Sequence, residues 1–94
     1  MSYTNEVMQD IANGAIIAGK RDPFDAPDYP DSEDAPPART WAHTAARGIA
    51  ALMKDDDRLG IEMYGWDDIE RVLFVRQMEL IIETAQKNER HDEP

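Results

Sequence analysis

The chain has 94 residues, 41% of them apolar and 32% charged, with 20 acidic against 10 basic side chains and a formal net charge of -10. That length makes one small domain with a modest core, and the charge repels the phosphates of nucleic acids and the surface of anionic membranes, so neither is an expected direct partner. Without cysteine there are no disulfides, thiolate metal sites or thiol nucleophiles; no secretory leader pattern or membrane-length apolar run is present, and the expected location is the cytoplasm.

Residues 2–18 predict a first helix. Val7, Met8, Ile11, Ala12, Ala15 and Ile16 recur at helical spacing, Ser2 or Thr4 can cap the start, and Gly19 can stop it, with Lys20 and Arg21 suited to the negative end of the dipole. Asn13 and Gly14 are poor helix formers inside that run.

Residues 19–36 predict a long irregular loop. Prolines at 23, 27, 30 and 36, followed by another at 37, remove backbone donors and push their predecessors toward extended geometry. From Asp22 to Pro37 the stretch holds Asp25, Asp28, Asp31, Glu33 and Asp34 with no basic residue, and Phe24 and Tyr29 stand among them. Two readings are open: a linker whose aromatics lie on the helices, or a stiff acidic strip presented to a basic groove. Loops of this length in small domains are uncommon unless functional or disordered.

A second helix is predicted over about 37–54, capped by Asp34, with Trp41, Ala45, Gly48, Ile49, Leu52 and Met53 on one face and Trp41 as the core anchor. Ala42, Ala46 and Ala50 line another side, small enough for a neighbouring helix to approach closely. Residues 55–66 read as a connector, because Ile61 and Met63 alternate with Glu62 and Tyr64 as in a strand that has no partner strand. Asp55, Asp57 and Gly60 begin like a calcium loop, but Leu59 and Trp66 stand where ligands are required.

The third predicted helix, 67–90, carries the strongest signal. Asp67 and Glu70 form a capping box. Phe74, Val75, Met78, Ile81, Ile82 and Ala85 share a broad apolar face, while Ile69, Val72, Leu73 and Leu80 make a second stripe on the opposite side. Residues 91–94 are a charged tail. The expected fold is therefore an all-α domain of three helices, with a long acidic Pro-rich loop between the first two and a long C-terminal helix.

Chemistry-bearing patterns are sparse. His43 and His91 are far apart in sequence, Ser2 and Ser32 are the only serines, and no glycine-rich turn precedes a helix. Glu79 and Glu83 are one turn apart, but the second helix offers no matching acidic pair. No catalytic residue, metal ligand or cofactor is assigned.

The expected function is non-catalytic: binding of a protein partner with a basic surface. Size and charge are similar to those of small acidic inhibitors from phages and mobile elements, which occlude basic or nucleic-acid-binding surfaces, although no motif carries this likeness. The expected contacts are Asp25, Asp28, Asp31, Glu33 and Asp34, with Asp55, Asp56 and Asp57 as a second patch. Two alternatives stand beside this. One is an assembly module that homodimerises through Ile69, Val72, Leu73 and Leu80; the other is a metal-dependent helical hydrolase built on Glu79 and Glu83.

Overall fold

Thr4 opens the first helix by accepting the Val7 N–H at 3.2 Å. The computed structural model of the chain describes residues 4–27, 29 and 36–91, with side chains through 88. Four helices follow one another: α1 (Asn5–Arg21), α2 (Trp41–Lys54), α3 (Asp57–Tyr64) and α4 (Asp68–His91), and no strand occurs among the described residues.

Each boundary has a local cause. Thr40 caps α2 by accepting the His43 N–H at 3.1 Å; the first turn therefore begins after the prolines, and the start expected near residue 37 moves to Trp41. Asp56 accepts the Arg58 and Leu59 N–H groups at 2.9 and 3.1 Å, and this cap turns the expected 55–66 connector into a short helix. The strand-like alternation there is a helical pattern read at the wrong period: Met63 is buried and Ile61 is exposed. The capping box of α4 forms as expected, with Glu70 N–H on Asp67 Oδ1 at 2.8 Å and Asp67 N–H on Glu70 Oε1 at 3.2 Å.

Gly19 does not stop α1. It lies inside the helix because it meets α2 there: a Cβ on Gly19 would stand 2.6 Å from the Arg47 carbonyl carbon, and one on Gly48 would stand 2.7 Å from Ile16 Cδ1. The two helices cross where each lacks a side chain.

Helix α2 makes the close backbone approaches to each of the other three, and no two of α1, α3 and α4 come as close to one another among the described residues. Its contact surface is the alanine side, with Ala42, Ala46, Ala50 and Ala51 buried. Trp41, the expected core anchor, is instead 59% exposed. Aromatic anchoring comes from the loop. Phe24 and Tyr29 join Ala46, Ala50, Met63 and Val75 in the core, with Trp66, Phe74 and Met78 packed around them. Phe24 sits at the centre, edge-on to Tyr29 at 5.2 Å and 5.8 Å from Trp66. Burying one such ring contributes on the order of 2–3 kcal/mol, which gives the proline-rich segment a fixed place on the helices. The structure thus favours the reading in which the two aromatics lie on the helices.

Candidate functional site

Arg39, His43 and Arg47 recur every four residues from the α2 entry onward, so they share one side. Opposite them, the loop brings Asp25. Its carboxylate accepts Arg47 Nε–H at 2.8 Å and His43 Nε2–H at 2.8 Å. The remaining ring nitrogen of His43, Nδ1, accepts the Arg39 backbone N–H at 3.0 Å, which assigns the proton to Nε2. Burial alone would raise the Asp25 carboxyl, but the hydrogen bonds from His43 and Arg47 outweigh it and hold the group below its ordinary 3.8. An aspartate beside a histidine has the look of a general-base pair. Here both imidazole nitrogens are occupied and the ring is 1% exposed, so the pair is an internal latch. Arg47 extends it by donating to the Pro36 carbonyl at 2.8 Å.

A second latch comes from α4. Arg71 donates to the Phe24, Ala26 and Trp66 carbonyls at 3.0, 3.2 and 2.8 Å, and also pairs with Asp68. The two arginines thus tie the loop at residues 24–26 and again at 36, satisfying backbone acceptors that burial would otherwise orphan. Glu79 completes the internal set: Arg39, Thr40 and Arg76 contact its carboxylate at 2.6, 3.1 and 3.1 Å. Burial pushes Glu79 up, and these three donors bring it below its ordinary 4.5. Committed in this way, Glu79 is not available to share a cation with Glu83.

Tyr29 presents a buried hydroxyl with no hydrogen-bond partner among the described residues. Burial and the neighbouring Tyr64 hydroxyl push its pKa up, and Lys54 Nζ lies 4.8 Å above its ring.

The expected partner contacts fall into three groups. Asp25 is buried in the first latch instead of standing on an exposed strip. Asp28, Asp31, Glu33 and Asp34 lie outside the described residues. Asp55, Asp56 and Asp57 are exposed at the α2–α3 junction. Capping by the Leu59 and Arg58 amides lowers the Asp56 pKa. Further acids continue the patch in sequence: Glu62 on α3, then Asp67, Asp68 and Glu70 at the start of α4, all exposed. Of these, only Asp68 pairs with a cation among the described residues. Exposed apolar side chains stand between them, with Ile61 of α3 78% exposed.

The second stripe of α4 is not covered by the other helices. Ile69, Val72, Leu73 and Leu80 are 37–70% exposed. Ile81, expected on the core face, joins them at 58%. The sequence reading does not foresee the internal pairing of Arg47, His43, Arg71 and Glu79, although it names His43 and Glu79 as candidates for other roles. The four-residue spacing of Arg39, His43 and Arg47 was the available signal, because a polar row on a helix with an alanine face needs buried partners.

Together these features define an all-α protein with an internal ionic latch and an outer surface of acidic and apolar residues. No helix among the described residues is long and apolar enough to cross a membrane. Comparison with protein-family models, curated proteins and solved structures finds no match to this chain.

Proposed function

We propose that the protein is a non-catalytic binder of a basic protein surface, engaging it through the acidic and apolar surface of α3 and the first turn of α4. The observation that carries this is the exposure of Asp55 and Asp57 at the α2–α3 junction and of Glu62 and Ile61 on α3, the three carboxylates without salt-bridge partners among the described residues. On α3, Ile61, Arg58 and Glu62 lie on the side away from buried Gly60 and Met63, with Asp57 one turn before Ile61 at its edge. A large apolar side chain flanked by carboxylates suits a partner that offers an apolar contact inside a rim of lysine and arginine. A basic rim of that kind is the chemistry of a nucleic-acid-binding surface, so occlusion of such a surface is the activity proposed. The latched groups support the non-catalytic part of the reading, since Asp25, His43 and Glu79 all have internal partners.

The test is a pull-down from lysate of the encoding organism, run with the natural chain and with Asp55→Asn, Asp57→Asn and Glu62→Gln combined. The expected result is a nucleic-acid-binding protein recovered only by the natural chain, with its nucleic-acid affinity reduced when the complex forms. Equal recovery by both chains, or unimpaired nucleic-acid binding in the complex, would overturn the proposal.

A further inference from the structure

Four arginines hold internal partners, and they are of two kinds. Arg47 and Arg71, with side chains 5% and 6% exposed, direct their donors to carboxylates and to several backbone carbonyls. Arg39 and Arg76 are different. Their side chains are 53% and 47% exposed, and both converge on one atom, Oε1 of Glu79, at 2.6 and 3.1 Å. Among the described residues neither guanidinium has another acceptor. A guanidinium carries five N–H donors in a planar fork, so most donors of this pair face water. Two such forks meeting at a single oxygen lie within a phosphate's reach of each other, and each can give a phosphate parallel, charge-assisted bonds.

Beside the pair is a hollow of about 260 Å³ lined by Thr40, Trp41, Glu83, Gln86 and Lys87. Thr40 joins the two features, because its hydroxyl also donates to Glu79 Oε2 at 3.1 Å. Trp41 is exposed here, leaving indole surface on which a flat ring can stack. Glu83 is half-buried and has no salt-bridge partner among the described residues; its carboxylate can accept bonds from hydroxyl or amino groups of a ligand. The helical rise sets Arg76 and Glu83 about 10 Å apart, so a ligand touching both needs a short polar linker between its phosphate and its ring.

We propose that Arg39 and Arg76 hold the phosphate of a nucleoside monophosphate whose base stacks on Trp41, with Glu83 accepting from the sugar hydroxyls. Charge permits this in spite of the formal -10 of the whole chain. At the site itself Arg39, Arg76 and Lys87 outnumber Glu79 and Glu83, and distant carboxylates are screened at physiological salt. One phosphate meets this local excess of cations, whereas a nucleic acid backbone would run on into the acidic surface.

The experiment titrates adenosine monophosphate into the full chain at fixed ionic strength, with ribose 5-phosphate as the ringless control, followed by NMR of the indole and arginine N–H groups. Adenosine monophosphate is expected to bind with a dissociation constant of about 1 mM or below, shifting the Trp41 indole and the Arg39 and Arg76 Nε–H signals. Ribose 5-phosphate should shift the arginines alone and bind about tenfold more weakly, for want of the stacked ring. Trp41→Ala, which removes an exposed ring, should bring the nucleotide down to the level of the sugar phosphate and leave the latter unchanged. Arg76→Gln should weaken both ligands by at least about tenfold, and its fold is expected to hold because Arg39 and Thr40 still contact Glu79. Arg76→Lys, which keeps the charge without the fork, should restore only part of the loss. Absence of any shift at about 10 mM nucleotide, equal affinity for the two ligands, or undiminished binding by Arg76→Gln would each overturn the proposal. None of these outcomes bears on the basic-partner reading, which rests on α3 and the first turn of α4.

Discussion

Asp25 and Arg47 meet at 2.8 Å inside the molecule, one from a proline-rich loop and the other from the middle of the most connected helix. Because both side chains are buried, removing either leaves an unpaired charge. Asp25→Ala is expected to cost about 3–5 kcal/mol of stability, measured as a shift in urea midpoint at constant slope. A loss of under about 1 kcal/mol would show that the loop is not held by this pair.

Acid should release the same latch. Asp25 and Glu79 both have folded-state values below their ordinary 3.8 and 4.5. Depressed carboxylates stabilise the fold above the unfolded value, and that contribution disappears as pH falls through the folded value. The contribution of these two carboxylates is therefore expected to be lost below about pH 4. Glu79→Gln should be less stable at neutral pH with a shallower acid decline; an unchanged acid decline would remove Glu79 from the explanation.

Glycine substitutions should have opposite signs along α1. A methyl group at Gly14 meets nothing within 4 Å, so Gly14→Ala is expected to raise stability by about 0.5–1 kcal/mol through helix propensity. At Gly19 the added carbon would lie 2.6 Å from α2 backbone, and Gly19→Ala should cost about 1–3 kcal/mol. Thermal midpoints of the two variants on either side of the natural chain would establish the crossing. A neutral Gly19→Ala would refute it.

The two tryptophans should report different environments. Trp66 packs against Phe24 and Phe74 at 5.8 and 5.1 Å, so Trp66→Ala is expected to cost about 3 kcal/mol. Trp41→Ala should cost less than about 1 kcal/mol. Fluorescence of the single-tryptophan variants checks this: Trp41 emission should be red-shifted and readily quenched by iodide, and Trp66 emission bluer.

The helices that carry complete local signals were legible from residue types. The Asp67–Glu70 box marks the start of α4, and the alanine row marks the close-packing side of α2. The short α3 was not, because Asp56 as cap outweighs a weak alternating pattern and eight residues give helical periodicity little room to show. Trp41 was misplaced for a related reason: an aromatic at helical spacing shows where a face could lie, while the small side of α2 forms the closer contacts. Least legible was the role of Asp25. In sequence it is one acid among six between Asp22 and Asp34, and only tertiary placement opposite His43 and Arg47 separates it from the others. The outward stripe of α4 could be read from periodicity, but its exposure depended on where the other helices settled.

Among the described residues α2 makes the close backbone approaches to all the other helices, and this bears on the order in which a nascent chain can acquire structure. Leaving the ribosome first, α1 has no surface to rest on until α2 follows, and Phe24 lacks its full shell until Arg71, Phe74 and Val75 have emerged. Synthesis is thus expected to yield a protease-sensitive chain until α4 has emerged and a resistant one afterwards, because the stitching of the loop requires Arg71. Ribosome-stalled chains ending before and after α4 would differ sharply in protease resistance if this holds, and resistance in the shorter ones would place the decisive step within the first three helices.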